Sequence, residues 1–202
     1  MEHAVKCICE NEMTINFPDQ ISTKDDPDLL SKIEKGDFQK FICDSCGKEL
    51  KLELPVRIID KANKIDVFFI PKEEAKDYVT GKTGYRPVGR AVIGYPELIE
   101  KIRVLTAKLD DKAIELIKYY LLQKADADEN ISIYFHNIDS DKIVFHIHGM
   151  KEEEVGVIPV PLKVYKDTQK QVKEKEKEPP FSLILSEPYI SVNNLIYRST
   201  LL

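Results

Sequence analysis

Residues 43–55, CDSCGKELKLELP, decide how the first third of the chain is read. The C-x-x-C spacing of Cys43 and Cys46 puts two thiols on one tight turn. Gly47 directly behind them permits the positive φ that turns backbone N–H groups toward sulfur. Leu50, Leu52 and Leu54 then alternate with Lys51 and Glu53, the period of a strand. Upstream, Cys7-Ile8-Cys9 stands ahead of a second alternation, in which Met13, Ile15 and Phe17 oppose Thr14 and Asn16. Two thiol pairs, each just ahead of a strand, meet if those strands pair.

Four thiolates at one point match tetrahedral zinc, with Zn–S bonds of about 2.3 Å. Soft sulfur selects zinc or iron over magnesium or calcium. Cys7, Cys9, Cys43 and Cys46 are therefore the candidate metal ligands, and zinc is the expected metal. Its role is expected to be structural, because four thiolates leave no position open for water or substrate. A Cys43–Cys46 redox couple would want a βαβ setting, which the neighbouring sequence does not supply. The first pair is one residue shorter than an ordinary knuckle and has no glycine behind it. Asn11 is expected to take the left-handed turn there. Lys6 and Lys48 flank the pairs and are placed to screen the negative charge of the centre.

Between the pairs, Leu29, Leu30 and Ile33 make one face of a short helix. Asp26 is its expected cap, Pro27 its first residue and Gly36 its left-handed stop. Strands are expected at residues 56–59 and 65–70, around a turn at residues 60–64. Pro71, Gly81, Gly84, Pro87, Gly89 and Gly94 mark a connector. Pro96 opens a helix with Leu98, Ile99, Ile102 and Leu105 on one face and a Glu97–Lys101 pair along it. Asp110 and Asp111 cap a second helix. Further on, strands are expected near residues 131–136, 142–148 and 154–160, followed by a helix from Leu162 and a charged run, KEKEKE, at 173–178.

The fold class is thus α+β. It comprises a zinc-ribbon-like antiparallel unit over residues 1–74, a connector and helical pair over 75–128, and a small α/β C-terminal unit over 129–202. The segments VKCICENEMTINF, DPDLLSKIEKGDF, CDSCGKELKLELP and DVFFIPKEE resemble the CpXC family, which is named for paired Cys-Pro-x-Cys motifs. LDDKAIELIKYYLL looks like that family's helical half. The resemblance implies a prokaryotic zinc-ribbon-like domain and carries the family's cysteines onto Cys7, Cys9, Cys43 and Cys46. It implies a fold and a metal, not a reaction. This chain departs from the pattern in its C-x-C first pair, and in having Ile8 and Asp44 where the prolines would stand.

The chain has 202 residues and a net charge of −5, so a strong general attraction for phosphate backbones lacks support. Its apolar runs, such as residues 67–70, are far shorter than the roughly 20 residues of a membrane span. The N-terminus has no apolar signal core, so the expected compartment is cytoplasmic.

His146 and His148 share one face of their strand with Val144, while Ile143, Phe145 and Ile147 take the other. One register of the hairpin sets Tyr134 opposite His146 and Ser132 opposite His148, gathering imidazole and aromatic groups with His136. The segment Gly81-Lys82-Thr83 lacks the upstream glycine of a phosphate-binding loop. The function expected is a protein-interaction module. The first alternative is a nucleic-acid-associated ribbon with a basic patch at Lys48, Lys51 and Arg57. The second is an enzyme with a site at His136, His146 and His148.

Overall fold

The computed structural model describes residues 2–124, 131–151 and 154–199. Its architecture is α+β. Two small hairpins open the fold. Strand β1 (Glu2–Lys6) pairs antiparallel with β2 (Glu12–Asn16), and β4 (Lys40–Ile42) pairs with β5 (Glu49–Lys51). Each cysteine pair sits in the turn of one hairpin. The sequence reading found the strands after the cysteines and missed β1 and β4 before them.

Behind the hairpins lies a mixed four-stranded sheet in the order β3 (Gln20–Ser22), β6 (Val56–Asp60), β7 (Ile65–Ile70), β8 (Arg90–Ile93). Strands β6 and β7 form the expected hairpin. Asp60 holds its turn by accepting the backbone N–H groups of Ala62 and Asn63 at 2.9 and 3.2 Å. Period-two alternation turns Val56, Ile58, Val67 and Phe69 to one face, where all four are fully buried. Helix α1 (Leu29–Lys35) covers them with Leu29 and Ile33, and Gly36 ends it at φ 74° as expected. Its start comes at Leu29, two residues later than Pro27 suggested.

The stretch 71–94 is more than a connector. It holds a 3-10 turn, a short helix α2 (Ala75–Val79) and β8, which runs parallel to β7. Gly89 is required here for close approach, since a Cβ on it would collide with the Asp66 carbonyl.

Helix α3 (Gly94–Thr106) joins the two halves. Its Leu98 and Ile102 enter the first core, and its Val104 enters the second. Asp110 caps α4 (Asp111–Lys124) as expected, accepting from the backbone of Lys112 at 3.0 Å and of Ala113 at 3.4 Å. The expected Glu97–Lys101 pair does not form. Lys101 instead binds Asp111 at 3.0 Å and the Ile190 carbonyl at 3.2 Å. Glu97 accepts from the Ile93 amide and from the side chains of Tyr189, Ser191 and Asn193.

The second core lies under an antiparallel meander of β9 (Ser132–Asp139), β10 (Lys142–Lys151) and β11 (Glu154–Pro161). Ile133, Phe135, Ile143, Phe145 and Ile147 point inward against α4 and α5 (Leu162–Lys175). Two short helices follow, α6 (Phe181–Ile184) and α7 (Asn193–Ser199). The segment around Pro188–Tyr189 returns to the first sheet: the Ala91 amide donates to the Pro188 carbonyl at 2.9 Å, and Tyr189 joins the small core of Ile70, Ala75 and Ile93.

Two buried carboxylates tie the pieces together. Lys118, only 1% exposed, binds Glu100 at 2.6 Å and Glu115 at 2.8 Å. The second oxygen of Glu100 accepts the Phe135 amide of β9, and that of Glu115 accepts the Val192 amide. The two carboxylates overcome burial and raise the Lys118 pKa, keeping the ammonium charged. None of the described helices is long and apolar enough to cross a membrane.

Candidate metal centre

The two hairpin turns face one another and bring all four predicted cysteines together. Every Sγ lies within 4.8 Å of the other three. The short contacts run between hairpins: Cys7 Sγ to Cys46 Sγ is 3.7 Å and Cys9 Sγ to Cys43 Sγ is 3.8 Å. A tetrahedron with metal–sulfur bonds near 2.3 Å has sulfur–sulfur edges of about 3.8 Å. A disulfide would need about 2.0 Å. The spacing therefore suits four ligands around an ion and not a pair of crosslinks, and the four cysteines are free.

Local backbone geometry explains the convergence. In the second hairpin the Cys43 amide donates to the Lys48 carbonyl and the Gly47 amide to the Cys43 carbonyl, both at 2.9 Å. Gly47 takes the expected left-handed conformation at φ 70°. In the first hairpin the Cys7 amide donates to the Asn11 carbonyl at 2.9 Å and the Glu10 amide to the Cys7 carbonyl at 2.8 Å. Here the left-handed residue is Glu10, at φ 69°, not Asn11. The shorter C-x-C loop moves the turn one residue forward. That frees the Asn11 side chain, whose Nδ2 reaches Asp44 at 2.7 Å and Cys43 Sγ at 3.8 Å, clasping one hairpin to the other.

Backbone amides supply positive potential to the sulfurs. The amides of Cys46 and Ser45 hold the Cys43 thiol down at about 6, against its burial. The Lys48 amide also pulls on Cys46, but hydrogen bonding with Cys9, burial and the other two thiols outweigh it and push that thiol up to about 12. Cys7 is raised too: the Cys9 amide lowers it, while burial and bonds to Cys9 and Cys43 act the other way. The Cys43 thiol ionises readily, whereas Cys7 and Cys46 resist crowding of negative charge. A divalent cation relieves that crowding, releasing protons as it binds. Cys7 and Cys43 are buried, whereas Cys9 and Cys46 face solvent and leave an entry path.

The three histidines lie elsewhere. The register is the one the alternation suggested, with His146 opposite Tyr134 and His148 opposite Ser132. A bulge between Val144 and Phe145 leaves His136 without a strand partner, and its ring stacks on His146 at 3.7 Å between centroids. Sequence reasoning missed the residues that α3 sets against them. Tyr95, Ile99 and Arg103 recur at i, i+4 and i+8, a helix stripe distinct from the Leu98 and Ile102 core stripe. Together these surfaces border a cavity of about 550 Å³. Arg57 of the anticipated basic patch is held by Asp66 through two bonds of 2.8 and 2.6 Å, and Lys51 lies over the Tyr95 ring at 4.3 Å.

Two cysteine-tipped hairpins that converge four thiols, on an α+β body, define a ribbon-type protein with a cysteine centre fit for a metal. The CpXC family, described as "CpXC protein", matches residues 5–118, more than half of the chain, and the chain belongs to that family. A protein of Treponema pallidum (strain Nichols), described only as an uncharacterized protein, is 24% identical over 213 residues. The match covers 95% of this chain and 97% of that one. No solved structure matches the chain.

Proposed function

We propose that Cys7, Cys9, Cys43 and Cys46 hold one structural zinc ion, and that the zinc-bound ribbon presents its hairpin tips to a protein partner. The observation that carries this reading is the convergence of four sulfurs from two hairpins, with edges matching a tetrahedral shell. Such a set fills every position around zinc, so the ion orders the chain and has no site for a reacting group. Reduced, ligand-ready thiols suit a reducing compartment, which favours the cytoplasm.

The partner reading is supported by what surrounds the sulfurs. Ile8, between the first two cysteines, is 75% exposed, and Ile42, beside Cys43, is 61% exposed. Two large apolar side chains at the tips of one rigid centre suit a protein surface better than a phosphate backbone. The engagement of Arg57 and Lys51 removes much of the basic patch that nucleic-acid binding would use.

Elemental analysis of the purified protein is expected to give close to one zinc per chain, and Cys43→Ser a large loss. Less than about a tenth of an equivalent in wild type, grown with ample zinc, would overturn the metal assignment. The partner reading has its own arm. Proximity crosslinking in cells is expected to give a discrete adduct that an Ile8→Asp, Ile42→Asp variant loses at unchanged zinc content. Adducts unaffected by that variant would set the reading aside.

A further inference from the structure

The cavity between α3 and the outer face of the β9–β10 hairpin belongs to neither the metal centre nor the cores. Its volume, about 550 Å³, falls within the roughly 300–1,000 Å³ of small-molecule sites. One wall is the α3 stripe of Tyr95, Ile99 and Arg103, and the other carries Tyr134 and the three histidines. Ring side chains dominate, and the polar groups gather around Arg103.

Arg103 is always charged and can only donate. Its Nη1 lies 3.3 Å from His136 Nδ1, so that nitrogen is the acceptor, and the His136 ring is neutral with its proton on Nε2. Among the described residues the Arg103 side chain has no ion-pair partner and no other hydrogen bond, which leaves most of its five N–H donors unused. Glu100 also borders the cavity, but it gives one oxygen to Lys118 and the other to the Phe135 amide. The cavity thus holds a guanidinium and three imidazoles without a free carboxylate. Burial first, and then the Arg103 charge, lower the His136 pKa. Burial, His136, His148 and Arg103 together do the same to His146. Of these groups Arg103 carries the fixed charge, and it has no counter-anion among the described residues. A metal ion is a poor occupant, because among the described residues only the four cysteines bring three or more ligand atoms together.

We infer that this cleft binds a small aromatic anion, its ring against Tyr95, Ile99 and Tyr134 and its carboxylate or phosphate at Arg103 and the histidines. Stacking on Tyr134, with contact to Ile99 and to the rim of the Tyr95 ring, whose face Lys51 covers, supplies affinity for the planar part. The partly dehydrated guanidinium supplies a charge-assisted bond to the anion.

Calorimetric titration of the full-length protein with phenyl phosphate, benzoate, inorganic phosphate and benzylamine tests this. Phenyl phosphate or benzoate is expected to bind saturably below about 1 mM. Inorganic phosphate is expected to be at least tenfold weaker, and benzylamine not to bind. Arg103→Ala is expected to cost at least tenfold and Arg103→Lys to recover part of that, with unchanged melting. A second readout needs no variant. On titration the ring protons of His136, His146 and His148 are expected to shift, while those of His3, out on β1, stay put. No saturable binding of either aromatic anion, binding as tight for phosphate alone, or shifts equal at all four histidines would overturn the inference.

Discussion

Asp111 shows how much of this fold is decided by single buried charges. It receives Lys101 at 3.0 Å and Arg90 at 2.9 Å, with a side-chain exposure of 6%. Burial works against its charge, but the two cations win and hold its carboxyl below the usual range. A depressed folded-state pKa contributes stability at neutral pH that disappears as acid protonates the group. Asp111→Asn is therefore expected to cost roughly 3 kcal/mol at pH 7, because it leaves Lys101 buried opposite an amide. The gap between variant and wild type is expected to begin narrowing below about pH 4, the ordinary aspartate pKa, and to close only as the pH falls through the lower folded-state pKa, where the wild type loses its charge too. Urea melts of both proteins across pH 2–7 check this. At the same scale the sequence showed the four thiols and Gly47 plainly, because a C-x-x-C-G turn is local chemistry. It did not show that Lys101 would forsake Glu97 for Asp111, since that choice depends on where α4 and Ile190 lie in space.

The hairpins are the elements least able to stand alone. Strands β1, β2, β4 and β5 are mostly exposed, and their buried anchors reduce to Ile15, Cys7 and Cys43 with Phe38 close by. Under the proposed zinc assignment, ligand bonds substitute there for apolar burial. Chelation is expected to raise amide exchange in residues 2–16 and 40–51 by at least tenfold, while α3 and α4 keep their protection. Equal protection with and without chelator would contradict a metal-ordered ribbon. Element types were legible where the period was long and local: α3, α4, α5 and the inward face of β9 and β10 follow the alternation directly. Strand β8 was not legible. Its parallel place beside β7 is set by the return of the chain through α2, and its glycines look like loop chemistry until Asp66 is seen against Gly89. The bulge that frees His136 was hidden for the same reason, since alternation says which face a residue takes but not where the ladder skips.

Across the whole molecule, α3 is the shared member. It packs Leu98 and Ile102 into one core and Val104 into the other. Its first turn also holds Tyr95, whose hydroxyl shares its one proton between the Phe38 carbonyl at 2.6 Å and the Leu52 carbonyl at 3.0 Å. Those two carbonyls flank the hairpin that carries Cys43 and Cys46, and the same tyrosine ring walls the aromatic cleft. One side chain is thus a party to both places. Reciprocity follows from a closed thermodynamic cycle: whatever factor zinc adds to the affinity for phenyl phosphate, phenyl phosphate adds to the affinity for zinc. Competition against a coloured chelator, with and without saturating phenyl phosphate, is expected to show the ion held several-fold more tightly in the liganded protein. Tyr95→Phe, which keeps the ring and deletes the hydroxyl, is expected to abolish that gain. With the proposed zinc and aromatic anion bound, a chain with this hydroxyl intact is expected to respond to two concentrations at once, those of the ion and of the small molecule, and to be most fully ordered when both are plentiful.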